Sequence, residues 1–159
     1  MMMIKIDIPG YGLAHLEHLV LDFNGTLSAD GTILPGVKEQ LKELEKVLEL
    51  HVVTADTYGR ASLELKDLKC TLHVVSGVGL DLQKEEYVRS LGPERVVAIG
   101  NGNNDQRMLK LSGISIAVTG IEGCALNALL SAKIHVNHIH DALDLLINPK
   151  RLEATLRYW

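Results

Sequence analysis

The sequence predicts an α/β fold, a mainly parallel, doubly wound sheet with helices on both faces and a β-hairpin near its N-terminal end. Three observations predict it. Short apolar runs alternate with amphipathic helical stretches along the whole chain, the pattern of successive βαβ units. The run Leu19-Val20-Leu21 is apolar without alternation, as expected of a strand buried on both faces of a parallel sheet. Polar residues collect just past the ends of several apolar runs, which is where such sheets bind their ligands.

Met3 to Ile8 alternates apolar and polar residues, the period of a half-exposed strand. Pro9-Gly10-Tyr11-Gly12 follows as a turn, and Leu13 to Glu17 can return as the hairpin partner. His18 to Phe23 is the first buried strand, and Ser28 to Thr32 reads as a polar loop behind it. Val37, Leu41, Leu44 and Leu48 recur at helical spacing after Pro35-Gly36, which sits where a helix starts. Leu50 to Thr54 is a second buried strand ending at Ala55-Asp56-Thr57, and Ala61 to Leu68 a short helix. Thr71 to Val75 is a third strand, followed by a helix carrying Leu82, Val88 and Leu91.

Arg95 to Ile99 is the fourth strand of the series. It runs into Gly100-Asn101-Gly102-Asn103-Asn104-Asp105, and a helix begins at about Asp105 with Met108, Leu109 and Leu111 turned inward. Ile114 to Val118 and Ile134 to Val136 are the last strands, with a helix from Cys124 to Leu130 between them. Asp141 to Ile147 and Lys150 to Tyr158 are closing helices parted by Asn148-Pro149. A single domain over 1–159 is expected, divided into a hairpin (1–17), a core (18–118) and a C-terminal strand and helices (119–159).

A chain of 159 residues with 47% hydrophobic and 4% aromatic residues is long enough to bury a core of its own. A net charge of −4 and the lack of a clustered Lys/Arg face argue against nucleic acid as a partner. The first eight residues are too short and polar for a signal segment, and no apolar run approaches the roughly 20 residues of a membrane helix. A cytoplasmic protein with no membrane partner is the expectation, with Cys70 and Cys124 as buried, reduced thiols.

The polar strand ends define a candidate site: Asp22 with Asn24 and Thr26, Thr54 with Asp56, and Asn101 with Asn104 and Asp105. Strand ends on one edge of a parallel sheet converge, and Lys84, near the start of its helix, can reach the same edge. Carboxylates, a hydroxyl, an ammonium and amides make a seat for Mg²⁺ and a phosphoryl group, and a carboxylate can accept a phosphoryl group as an aspartyl phosphate. Plainer roles compete. Asp22 before a turn can be a strand stop, and Asp56 and Asp105 can be helix N-caps.

Four segments in order, DFNGTL, VVTADTYGRA, QKEEYVRSLG and GNGNNDQRML, make the sequence similar to the haloacid dehalogenase (HAD) superfamily. Within it they most resemble the phosphorylation domain of P-type ATPases freed from its membrane part, a soluble P-type-ATPase-like phosphatase. The resemblance covers roughly residues 18 to 118. It implies a Rossmannoid three-layer αβα fold and an Mg²⁺-dependent phosphohydrolase. Asp22 would be the phosphorylated nucleophile, with the backbone carbonyl of Asn24, Asn101 and Asp105 also holding the metal. Thr54, Lys84 and Asn104 would bind or position the phosphate, together with Phe23, Asn24 and Ala55 beside them, while Gly25 and Thr26 shape the turn.

Two positions depart from the family pattern. Asn24 stands where most phosphatases of the superfamily have an acid–base Asp, and Asn101 where a metal-binding Asp is usual. An amide cannot donate and recover a proton, so turnover of simple phosphomonoesters should be slow; an attenuated phosphate- and Mg²⁺-binding regulatory or assembly module is the alternative. Neither interval, Asp22 to Thr54 or Thr54 to Lys84, has room for a cap domain. The site is then open to a phosphoprotein or a phosphorylated small molecule, or is covered by a second subunit of a homo-oligomer.

Other side chains read more plainly. His135, His138 and His140 fit a strand and turn with wet histidines rather than a metal site. His15, His18, His51 and His73 are isolated in sequence and read as structural. Arg60 reads as solvated, with substrate binding as the alternative. Tyr158 and Trp159 dock either on the domain or on a second subunit.

Overall fold

The computed structural model describes residues 2–55 and 59–159. It opens with an antiparallel hairpin of β1 (Ile4–Ile8) and β2 (Gly12–Leu16), whose alternation buries Ile4, Ile6 and Ile8 and exposes Lys5 and Asp7. β3 (His18–Leu21) is followed by β4 (Ser28–Ala29), β5 (Thr32–Ile33) and α1 (Val37–Leu44). β6 (Glu49–Thr54), α2 (Arg60–Glu64), β7 (Cys70–Val74) and α3 (Leu80–Leu91) come next. β8 (Val96–Gly100), α4 (Gln106–Leu111), β9 (Ile114–Val118), α5 (Leu126–Ser131) and β10 (Ile134–Val136) lead to α6 (Ile139–Ile147) and α7 (Pro149–Leu156).

Six strands form one parallel sheet in the order β10-β9-β8-β3-β6-β7. β3 lies between β6 and β8, and its Leu19, Val20 and Leu21 are fully buried, which is why the run lacks polar alternation. Side chains alternate across the sheet. Leu19, Leu21, Val52 and Ile99 pack with α1, α6, α7 and the hairpin on one face; Val20, Val53 and Ala98 pack with α3, α4 and α5 on the other. From β3 the chain winds outward through α1 and α2, then crosses back along α3 to β8. The boundary of β3 and β8 is thus the topological switch point, where a ligand crevice is expected.

Several local expectations are corrected. Residues 28 to 33 form a hairpin, because Asp30 and Gly31 both adopt positive φ (52° and 83°), as a two-residue type I′ turn requires. α2 stops at Glu64, short of Leu68. Leu82 is half exposed, because the inward face of α3 belongs to Lys84 and Val88 one turn apart. Cys70 and Cys124 are free but only partly buried, and Cys124 precedes α5 rather than lying in a helix. The backbone N–H of Tyr158 donates to Pro9 O at 2.9 Å, so the tail docks on this domain. Gly10, at φ 78°, leaves the space this needs: a Cβ there would come within 2.7 Å of Tyr158 Cβ. Among the described residues no helix is long and apolar enough to cross a membrane.

Candidate active site

The crevice at the switch point encloses about 180 Å³ and is lined by Asp22, Asn24, Thr54, Ala55, Lys84, Asn101, Gly102 and Asn104. Three strand ends and one helix deliver these residues. Asp22 follows β3 directly, Thr54 ends β6, and the 101–105 turn follows β8. Lys84 reaches in from the second turn of α3.

At the centre Lys84 Nζ, 1% exposed, donates to Asp22 Oδ1 at 3.0 Å, Asp105 Oδ1 at 2.8 Å and Asn104 Oδ1 at 3.1 Å. All three ammonium protons are used. Burying an ammonium is tolerable only when it is paired and fully hydrogen-bonded, and both conditions hold here. Burial works to lower the Lys84 pKa, but the two carboxylates outweigh it and hold it above its ordinary value. Asp22 is raised as well: burial and the charge of Asp105 push it up to about 7 against the pull of Lys84.

Asp105, expected among the metal ligands, is fully buried behind Lys84 and does not line the crevice. Its Oδ2 accepts the N–H groups of Asn101 and Gly102, both at 3.0 Å, so it ties the turn that presents Asn101. The Asn101 side-chain N–H donates to Gly123 O at 3.2 Å, and this sets its amide orientation with Oδ1 toward Thr26. Thr26 Oγ1 lies 3.3 Å from Asp22 Oδ2 and 3.2 Å from Asn101 Oδ1, bridging the first and last motifs. Neither this bridge nor the Gly123 support has a signal in the linear sequence, since both depend on contacts between distant turns.

Asn24 is exposed at the rim, and Thr54 and Ala55 form part of the wall. Phe23, expected in the phosphate-binding set, sends its ring into the core, and its carbonyl closes the turn by accepting from the N–H groups of Leu27 and Ser28. Asp56 and Thr57 lie outside the described residues. Arg60 is exposed, but its guanidinium bonds Thr32 Oγ1 at 2.8 Å and Gly31 O at 3.3 Å, fastening α2 to the β4–β5 hairpin.

The histidines divide differently from their sequence spacing. His135 Nε2 meets Thr119 Oγ1 at 2.6 Å, and His140 Nε2 meets Pro35 O at 2.7 Å, while His138 precedes α6. His18 and His51 are not isolated. They meet at the opposite end of the sheet, at 3.1 Å between Nδ1 and Nε2.

The family model for haloacid dehalogenase-like hydrolases matches residues 86–122. An uncharacterized protein of Methanocaldococcus jannaschii is 47% identical over 73 residues, 46% of this chain and 78% of that protein. Among solved structures, the cobalt-bound deoxy-D-mannose-octulosonate 8-phosphate phosphatase of Haemophilus influenzae superposes with a TM-score of 0.70 at 12% identity, covering 89% of this chain and 92% of that one. The 3-deoxy-D-manno-octulosonate 8-phosphate phosphatase of Moraxella catarrhalis, in complex with magnesium ion, phosphate and KDO, gives a TM-score of 0.65 at 16% identity, covering 84% and 86%. At these identities the two structures establish a shared fold.

Proposed function

The chain belongs to the haloacid dehalogenase-like hydrolases, and from that premise we propose that it is an Mg²⁺-dependent phosphatase working through an aspartyl phosphate on Asp22. The observation that carries the reading is the buried chain Asp22–Lys84–Asp105 at the floor of a small polar crevice. Two carboxylates share one ammonium, and burial together with the charge of Asp105 raises the Asp22 pKa despite Lys84, so the pair is short of positive charge. A divalent cation would supply what is missing.

The donor set fits such an ion. Asp22 Oδ2, Asn101 Oδ1 and the Asn24 carbonyl are hard oxygen donors, the kind Mg²⁺ selects, and it normally keeps several waters besides. When bound, the ion would neutralise phosphoryl oxygens and polarise the bond to be broken. Asp22 Oδ1 attacks phosphorus, the new O–P bond forms as the ester or anhydride O–P bond breaks, and the leaving oxygen departs with its electron pair. Lys84, already on Oδ1, stays beside the phosphoryl oxygens, and Thr54 offers a hydroxyl from the wall. Water then attacks the phosphorus of the acyl phosphate, releasing phosphate and regenerating Asp22. Asn24 cannot protonate the leaving group, so the better substrates are acyl phosphates, anhydrides and activated aryl esters, on a small molecule or a phosphoprotein.

The test is hydrolysis of acetyl phosphate and p-nitrophenyl phosphate by wild type and Asp22→Asn, with and without Mg²⁺, with mass spectrometry on Asp22. Hydrolysis that needs both Mg²⁺ and Asp22, with a phosphorylated Asp22 trapped, is expected. Hydrolysis retained in Asp22→Asn would overturn the assignment, and beryllofluoride binding without turnover would favour the regulatory module.

A further inference from the structure

At the end of the sheet remote from Asp22, register alone assembles a second group of donors. His18 of β3 pairs directly with Glu49 of β6, and His51 lies two residues on, so all three side chains project from one face. His18 Nδ1 is 3.1 Å from His51 Nε2 and 3.2 Å from Glu49 Oε2, and His51 Nε2 is 3.9 Å from the same oxygen. These separations have a meaning in coordination chemistry. A four-coordinate ion with bonds of about 2.0–2.2 Å holds its ligands about 3.3–3.6 Å apart, so a shift of a few tenths of an ångström accommodates one ion among the three atoms.

The surroundings match. His51 is held from behind, its Nδ1 2.7 Å from Tyr87 Oη, which directs Nε2 toward His18 and Glu49. Tyr87 is itself fixed by stacking on His73, with ring centroids 4.7 Å apart. An outer hydrogen bond that orients a ligating imidazole is a regular part of metal sites. The histidine side chains are 15% and 7% exposed and the Glu49 side chain 61%, so the donors sit on a buried floor with one side open to water.

We propose that His18, Glu49 and His51 form a binding site for a transition-metal dication such as Zn²⁺, separate from the phosphate crevice, with a water in the fourth position. Two imidazoles and a carboxylate suit Zn²⁺ or Co²⁺ rather than Mg²⁺, whereas the Asp22 crevice offers oxygen donors alone. A ring proton on His18 Nδ1 can bridge the same three atoms and is what the metal displaces. The ion would clamp β3 to β6 and, through Tyr87, hold α3 three residues from Lys84.

The experiment is Co²⁺ titration of the metal-free full chain, followed by visible d–d absorption. One equivalent with the strong band of a four-coordinate ion is expected, unchanged in Asp22→Asn. Glu49→Gln, whose side chain is largely in water, and His18→Asn should each weaken binding at least about tenfold, and Tyr87→Phe by about 10–100-fold. Circular dichroism confirms that each variant is folded, and the exposed Glu49→Gln keeps the test decisive if the histidine variant is not. Absence of the band at millimolar Co²⁺, a band lost in Asp22→Asn, or one indifferent to Glu49→Gln overturns the proposal.

Discussion

Asn24 is the residue on which rate should turn. It is exposed at the rim of the crevice, so an Asp fits there without repacking. Asn24→Asp should raise hydrolysis of alkyl phosphomonoesters by about 10²–10⁴-fold, the usual value of a positioned acid–base group. Steady-state kinetics on glycerol phosphate checks this; an unchanged rate would put the deficit at Asn101. Asp22 predicts a pH dependence. Its pKa in the fold, about 7, lies above the 3.8 of an unfolded Asp, so the folded metal-free chain holds a proton the unfolded chain has lost. The stability this group contributes is complete below the unfolded value and disappears as pH rises through about 7. On the proposed function, Mg²⁺ bound at Asp22 would have to displace that proton, so its affinity should rise over the same window. Calorimetry at about pH 8 and about pH 5.5 should show tighter Mg²⁺ binding at the higher value and proton release at the lower. That Asp22, Asn24, Thr54, Lys84, Asn101 and Asn104 share one crevice was legible, because each polar residue stands just beyond an apolar run or on the helix beside one. The burial of Asp105 was not, since a linear pattern cannot say which of two carboxylates lines the crevice.

The strand β8 ends at Gly100 for want of space. A Cβ there would lie 2.6 Å from Asp105 Cγ, so only glycine lets the carboxylate tuck beneath the turn and bond Asn101 and Gly102. Gly100→Ala should cost about 1–3 kcal/mol, the range for overpacking, and weaken beryllofluoride binding along with it. Urea denaturation and a fluoride titration measure the two; a variant with normal stability and binding would mean that Asp105 can move freely. Strands set off by flanking turn residues and rich in β-branched side chains were readable to the residue, as Ile114–Val118 and Ile134–Val136 show. The β4–β5 hairpin was hidden although Asp30-Gly31 is a strong turn signal, because strands of two residues give no alternation to read. Leu82 misled for another reason. A helix facing a polar crevice puts a lysine where the hydrophobic pattern expects a leucine. Register left no trace either, so histidines separated by 33 positions could not be seen as neighbours.

Across the whole molecule the hairpin is part of the core. Ile4, Ile6, Ile8 and Leu16 join the same buried cluster as Leu19 and Leu21, and α7 packs against β1. Ile6→Ala should therefore cost about 2–5 kcal/mol in a single cooperative transition, as a central-strand change would. A loss below about 1 kcal/mol, or two transitions in urea, would show that the hairpin folds apart from the sheet. The position of β3 between β6 and β8 bears on how the chain is made. Synthesis proceeds from the N-terminus, so β6 can pair with β3 long before Val96–Gly100 leaves the ribosome. For that interval Leu19, Val20 and Leu21 present a bare apolar edge, and the carboxylate of Asp22 has neither its ammonium nor its turn. The crevice is thus completed late, and an interrupted chain carries a sticky strand in place of a finished site.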